Sequence, residues 1–183
     1  MVPKGKILGK SSLMFVTVGT TQFPFIRLYK ILDKLLVETN SLSQVIIQGR
    51  MEYKWQYKNI EMYRELSPSD FITIIKQADK IIIHGGFGTM HTVAQNTSIM
   101  PLIIARQVEF KEHIDNHQVK FIEYCKEKIS EEYKQYFITE EKLGTAISEY
   151  LSNSTPKNIL SKDIFNSQTR DQLLQKLQKY IDD

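Results

Sequence analysis

Residues 80–89 read Lys80-Ile81-Ile82-Ile83-His84-Gly85-Gly86-Phe87-Gly88-Thr89. The isoleucines make an apolar run of strand length, the glycines close it, and the turn opens a helix. Strand, glycine turn and helix recur on either side. Met14 to Val18 is a short β-rich run closed by Gly19-Thr20-Thr21, after which Pro24 opens a segment with Phe25, Leu28, Ile31, Leu32, Leu35 and Leu36 at helical spacing. Gln44 to Gln48 reads as a second strand and Ile60 to Arg64 as a weaker third. Ser67 then caps a helix with Pro68 in its first turn and Phe71, Ile74, Ile75 and Ala78 on one stripe.

Downstream, Pro101 to Ala105 is a fifth strand, and the spacing predicts a helix from Glu112 to about Lys128. Tyr136 to Ile138 reads as an edge strand and Thr139 as the start of a helix with Leu143, Ile147, Tyr150 and Leu151. After a polar break at Ser152 to Asn158, an amphipathic helix is expected over Gln168 to Ile181, carrying Leu173, Leu174, Leu177, Tyr180 and Ile181. Apolar strands separated by helices imply an α/β, Rossmann-like fold, a mostly parallel sheet with helices on both faces. The expected organisation is an N-terminal extension over 1–12, one α/β domain over 13–152 and a C-terminal amphipathic helix region over 153–183.

With 183 residues, the chain suits one domain and is too short for two full nucleotide-binding lobes. A charge of +3, made of 24 basic and 21 acidic residues scattered along the length, offers no basic block for nucleic acid. Cys125 stands alone, so no internal disulfide or zinc-type cysteine spacing exists, and a reducing, cytoplasmic setting is expected. The apolar runs are of strand length, too short to span a membrane or to form a signal-peptide core.

Ligands of such sheets bind at the carboxyl ends of the strands, so the segments after Val18, His84 and Ala105 are the candidates. His84, Gly85, Gly86, Gly88 and Thr89 combine small residues with a helix start, where backbone N–H groups and the positive helix end can approach a diphosphate. One glycine would signify only a tight turn; three with a threonine at a helix start point to an anion. His91 occupies the place of the third glycine of a dinucleotide fingerprint, and the glycines of Gly5 to Ser11 are too close for a P-loop. The run Arg106-Gln107-Val108-Glu109-Phe110-Lys111-Glu112-His113-Ile114-Asp115-Asn116-His117-Gln118 gathers a guanidinium, carboxylates, amides and imidazoles, the inventory for sugar hydroxyls and phosphate oxygens. A solvated first helical turn would account for Glu112 and Asp115 but not for the rest. His113 and His117, four apart, would share a helical face as a zinc pair does. Ile114 replaces the glutamate of HExxH and no third ligand presents itself, so a hydrogen-bonding or packing role is expected and no metal.

Together, VGTTQ at 18–22, HGGFGT at 84–89, Pro101 and EHIDNHQ at 112–118 resemble the C-terminal domain of glycosyltransferase family 28 over about residues 14 to 152. Within it they are similar to stand-alone donor subunits: the catalytic subunit of the eukaryotic two-part N-acetylglucosaminyltransferase that extends dolichol-linked sugar, and bacterial capsular and exopolysaccharide subunits. The resemblance implies a GT-B architecture divided between two chains, this one being the nucleotide-sugar lobe. It puts Gly19, Thr20 and Thr21 beside the donor phosphates, Gly85 to Thr89 on the diphosphate, Leu66 and Ser67 at the uracil, and Asp115, Asn116 and Gln118 on the hexose hydroxyls. Arg106 is a candidate cation for the departing UDP. Many members bind ribose with a glutamate where this chain has Thr92.

The implied activity is inverting transfer of a hexose (Gal, Glc, GlcNAc or GlcA) from a UDP-sugar to a lipid-linked acceptor in capsule or exopolysaccharide assembly, with no cofactor or essential metal. The implied partner is a membrane-anchored acceptor-binding subunit that recruits this chain to the cytoplasmic face. The general base is open, with Glu112 or His113 the fallback within the chain. The alternative is a non-catalytic enhancer that binds donor and supports a partner transferase. The helix over Gln168 to Ile181 would either cover the core or dock on the acceptor subunit.

Overall fold

The computed structural model describes residues 12–39, 42, 44–50, 52–139 and 142–166. The strands are β1 (Leu13–Thr17), β2 (Gln44–Gln48), β3 (Ile60–Tyr63), β4 (Lys80–His84), β5 (Leu102–Ile104) and β6 (Phe137–Ile138). They form one sheet in the order β3-β2-β1-β4-β5-β6, and every neighbouring pair is parallel. The helices are α1 (Ile26–Thr39), α2 (Pro68–Gln77), α3 (Phe87–Asn96), α4 (His117–Lys126), α5 (Glu131–Lys134), α6 (Leu143–Ser152) and α7 (Leu160–Asp163). The Rossmann-like reading of the sequence holds, including the edge strand, which is cut short by Tyr136.

Because side chains alternate across a strand, each central strand feeds two cores. Phe15, Ile81, Ile83 and Ile103 pack with Ile74 and Ile75 of α2, Met90 and Val93 of α3, and Phe121 and Ile122 of α4. Met14, Val16, Ile82, Leu102 and Ile104 pack on the other face with Leu28, Leu32 and Leu36 of α1 and Ile147 of α6. Each such residue, removed from water, contributes about 1.5–3 kcal/mol. The α1 and α3 helices, which follow β1 and β4, therefore leave on opposite faces. That divergence makes the carboxyl ends of β1 and β4 the switch point of the sheet, the place where ligands of such folds bind.

Two departures from the sequence reading bear on the site. The helix expected from Glu112 begins only at His117. Upstream the chain turns on itself, with Lys111 N–H donating to Val108 O at 2.9 Å, Glu112 N–H to Gln107 O at 3.1 Å, and Lys111 at φ 58°. Side chains replace helical bonds here: Asn116 Oδ1 accepts from Val108 N–H (3.0 Å) and Asp115 Oδ1 from His117 N–H (3.1 Å). The second departure is α7, which periodicity did not suggest. Leu160, Ile164 and Phe165 are buried in the α2–α3–α4 core, so that core continues past residue 152, and Met100 N–H donates to Pro156 O at 2.8 Å to hold the segment. The helix expected over Gln168 to Ile181 lies outside the described residues, as do residues 1–11 of the expected extension. No helix among the described residues is long and apolar enough to cross a membrane.

Candidate functional site

The two glycine loops at the switch point meet around one imidazole. His84, the last residue of β4, is 7% exposed and lies between the two glycine loops. A Cβ on Gly19 would come within 3.0 Å of its Cε1, and one on Gly86 within 2.4 Å of its Nε2. Gly19 also adopts φ 73°, so both conformation and contact call for glycine there. Burial, reinforced by the Arg106 charge, pushes the His84 pKa down to about 3. The ring is neutral at physiological pH, and its Nδ1 makes no hydrogen bond.

The turn after β4 is bare. Gly86 caps α3 with φ −78° and ψ 130°, and among the described residues no side chain caps its first turn. Gly85 N–H ties the turn to Ile104 O at 2.9 Å, and Phe87 anchors it by packing edge-on to Phe165, with ring centroids 5.5 Å apart. A Cβ on Gly88 would meet nothing within 4 Å, and Gly88 has no positive φ. Among the described residues nothing requires glycine at this position. The uncapped amides of Phe87, Gly88 and Thr89 at a positive helix end, behind open space, can take an anion.

The loop after β5 is the opposite, filled by its own polar groups. Arg106 is 1% exposed; its Nη1 donates to Thr21 Oγ1 (2.7 Å), Phe23 O (2.9 Å) and Glu112 O (3.1 Å), and its Nη2 to Val18 O. Glu112, also 1% exposed, takes two bonds of 3.0 Å from Arg27 Nε and Nη2. Burial raises the Glu112 pKa despite the opposing Arg27 charge. Gln118 is 3% exposed, and its Oε1 accepts from Arg106 N–H at 3.1 Å. These residues brace the β1 and β5 loops against each other. Outward from that brace stand Asp115 and Asn116, with His113 and His117 partly exposed.

The family model of the glycosyltransferase family 28 C-terminal domain matches residues 13–177. The chain belongs to that family. The crystal structure of the glycotransferase of kitacinnamycin is similar over 95% of this chain and 41% of its own length, at a TM-score of 0.52 and 11% identity. The glycosyltransferase SnogD from Streptomyces nogalater is matched over 81% of this chain and 41% of its own, at a TM-score of 0.37 and 13% identity. This chain spans less than half the length of either neighbour, and the family match together with the first of them gives it the fold of a GT-B C-terminal lobe. No curated protein sequence matches it.

Within this family 28 domain, the residues picked from the sequence fall into four groups, of which Asp115, Asn116 and His113, on the outer side of the loop after β5, are one. Gly19, Thr20, Thr21, His84, Gly85, Gly86, Gly88 and Thr89 gather at the carboxyl ends of β1 and β4. Arg106, Glu112 and Gln118 lie beneath them; both Nη atoms of Arg106 are taken by protein partners while its Nε is buried without one, and Glu112 is paired with Arg27. Leu66 and Ser67 sit past β3: Leu66 N–H donates to Gln48 Oε1 at 3.2 Å, and Ser67 Oγ caps α2 by accepting from Asp70 N–H at 3.1 Å. Thr92, where many members have a ribose-binding glutamate, donates its hydroxyl to Gly88 O at 3.0 Å.

Sequence reasoning missed Arg27 and Gln48. Arg27 lies in the first turn of α1, where the helix dipole disfavours a cation, and that mismatch is the one sign that it has an acidic partner. Gln48 Nε2 donates to Thr17 Oγ1 at 3.3 Å, linking the ends of β1 and β2 to Leu66. It reads in sequence as an ordinary strand residue. The expected sharing of a helical face by His113 and His117 is corrected, since His113 precedes α4. The two rings meet nonetheless, edge-on with centroids 4.5 Å apart, and Asp115 lies with them.

Proposed function

We propose that this chain is the donor-binding subunit of a heteromeric, inverting glycosyltransferase that transfers a hexose from a UDP-sugar to a lipid-linked acceptor in capsule or exopolysaccharide assembly. The observation that carries the reading is the bare turn at Gly85 to Thr89, set at the switch point of a family 28 lobe and facing open space at Gly88. The α3 amides and helix end take the diphosphate and stabilise UDP as it leaves. Gly19, Thr20 and Thr21 border the same phosphates. Leu66 and Ser67, carried by the brace from Gln48, border the uracil, and Asp115 and Asn116 reach the hexose hydroxyls from the edge of the loop. Neither a cofactor nor an essential metal is required for that step.

A GT-B cleft has two walls, and the described residues form one. We assign the other to a membrane-anchored, acceptor-binding partner, which also brings the chain to the cytoplasmic face of the membrane. The burial of Glu112 against Arg27 supports taking the general base from that partner, with His113 the remaining candidate here. The test is calorimetry with UDP and UDP-hexoses on the purified chain, followed by transfer assays with and without the partner. Weak UDP binding and no transfer by the chain alone are expected. Robust transfer to a lipid-linked acceptor without a partner would overturn the divided enzyme.

A further inference from the structure

We propose that His113, Asp115 and His117 form a binding site for a borderline divalent transition cation of the zinc, cobalt or nickel class. One ligand atom from each residue lies within 4.8 Å of the other two. Asp115 Oδ1 is hydrogen-bonded to His117 Nδ1 at 2.5 Å, a bond that a cation would replace, and lies 3.3 Å from His113 Nδ1. Around a tetrahedral ion with bonds of about 2.0–2.1 Å, ligand atoms stand roughly 3.3 Å apart, so the cluster needs to open only slightly to admit one.

Two features separate this cluster from an ordinary hydrogen-bonded trio. Although buried and close to the Asp115 carboxylate, His113 Nδ1 makes no aligned hydrogen bond, and a buried polar atom without a partner needs an explanation. The backbone that assembles the three is also irregular. A continued helix would turn Asp115 away from both imidazoles, whereas the chain leaves helical geometry until His117 and brings all three side chains together.

Two imidazoles and one carboxylate suit zinc, cobalt or nickel better than magnesium or calcium, which prefer oxygen alone. Three protein ligands leave at least one coordination position for water or an oxygen of a bound molecule. The side chains of Asp115 and His117 are 54% and 38% exposed, so an ion can approach from their side, with the buried His113 Nδ1 closing the site from within.

The site shares Asp115 and His113 with the donor reading, but the two are tested separately, because calorimetry with UDP in the presence of a chelator reports on the donor reading alone. The chain has four histidines: His84 is buried and His91 lies on α3, so any stoichiometric imidazole site can be located by substitution. The full chain, stripped with chelator, is titrated with Co²⁺ and then Zn²⁺. One ion per chain and a tetrahedral cobalt absorption band are expected, with affinity falling about tenfold or more in His117→Ala and in Asp115→Ala and unchanged in His91→Ala. Melting temperature checks folding; the exposed Asp115 supplies a variant that keeps the fold if a histidine variant does not. Absence of stoichiometric binding, wild-type affinity in the His117 and Asp115 variants, or equal weakening by His91→Ala would each overturn the site.

Discussion

The turn after β4 and the loop after β5 lie on adjacent parallel strands at the same edge of the sheet, and they are built in opposite ways. At Gly85 to Thr89 the protein presents backbone and leaves its helix uncapped. At Arg106 to Gln118 it fills the space with charged and amide side chains that bond one another. The first arrangement keeps donors free for a ligand; the second spends its donors on shape. A polar inventory in a sequence therefore says little about which groups face a ligand until their internal partners are known. Arg106, Glu112 and Gln118 have the chemistry for sugar and phosphate, yet they brace the loops that carry the free groups.

If that contrast is right, the largest effect on folding should come from the brace. Arg106→Met leaves Val18 O, Phe23 O and Glu112 O without their donor inside a buried region. The expected loss is about 3–5 kcal/mol, the range for removing one member of a buried charged network. Arg106→Lys should restore only part of it, since an ammonium cannot reproduce the guanidinium fork. Urea unfolding checks both, and a loss below about 1 kcal/mol would show that the loop stands without the brace.

The next effect belongs to the wedge between the two glycine loops. His84 is neutral in the folded protein, with a pKa near 3, whereas the unfolded chain protonates it near the ordinary value of about 6.5. Its contribution is complete above that unfolded value and is lost as pH falls toward the folded one. The loss is about 2 kcal/mol by pH 5 and deepens below it. Melting curves from pH 7 to 4 for wild type and His84→Asn check this: the variant should lose that part of the slope. Parallel slopes would mean that His84 is more hydrated than its position between Gly19 and Gly86 indicates.

These features divide what the sequence discloses from what it hides. Strand-length apolar runs closed by glycines identified the parallel sheet, and the strand ends located the loops, because both depend on local periodicity and on a general rule of sheet topology. Where α4 begins was not legible. Glu112 looks like helix-start acid until Arg27, 85 residues away, is known to hold it. The meeting of His113, Asp115 and His117 was hidden for the same reason, since helical spacing puts Asp115 on another side. Leu160, Ile164 and Phe165 were too short a cluster after a polar stretch to reveal a helix, and only the exposed flank of the α2–α3–α4 core explains their burial.

A smaller loss of stability separates the two glycine loops from each other. Gly19→Ala forces a side chain into φ 73° and against the His84 ring, where Cβ and Cε1 would be 3.0 Å apart. The conformational penalty alone is about 1–2 kcal/mol. Thermal melting measures it, and a silent substitution would mean that the loop can move away from the imidazole.

The smallest effect on stability, and the most informative for function, is expected at Gly88. This glycine sits in the first turn of α3 with space beyond its Cα and with no positive φ to excuse the absence of a side chain. Alanine should be tolerated or should stabilise by up to about 1 kcal/mol, because it restricts the unfolded chain more than glycine does. Valine, with its penalty in a helix, should stay within about 1 kcal/mol of wild type. A diphosphate approaching the α3 amides would nevertheless meet the new methyl groups. UDP affinity is therefore expected to drop about tenfold in Gly88→Val, or roughly 1.4 kcal/mol, with Gly88→Ala between it and wild type. Calorimetry against UDP, run beside thermal melts, separates the terms. A folded Gly88→Val protein that binds UDP as wild type does would remove the bare turn from the site and leave its openness without a function.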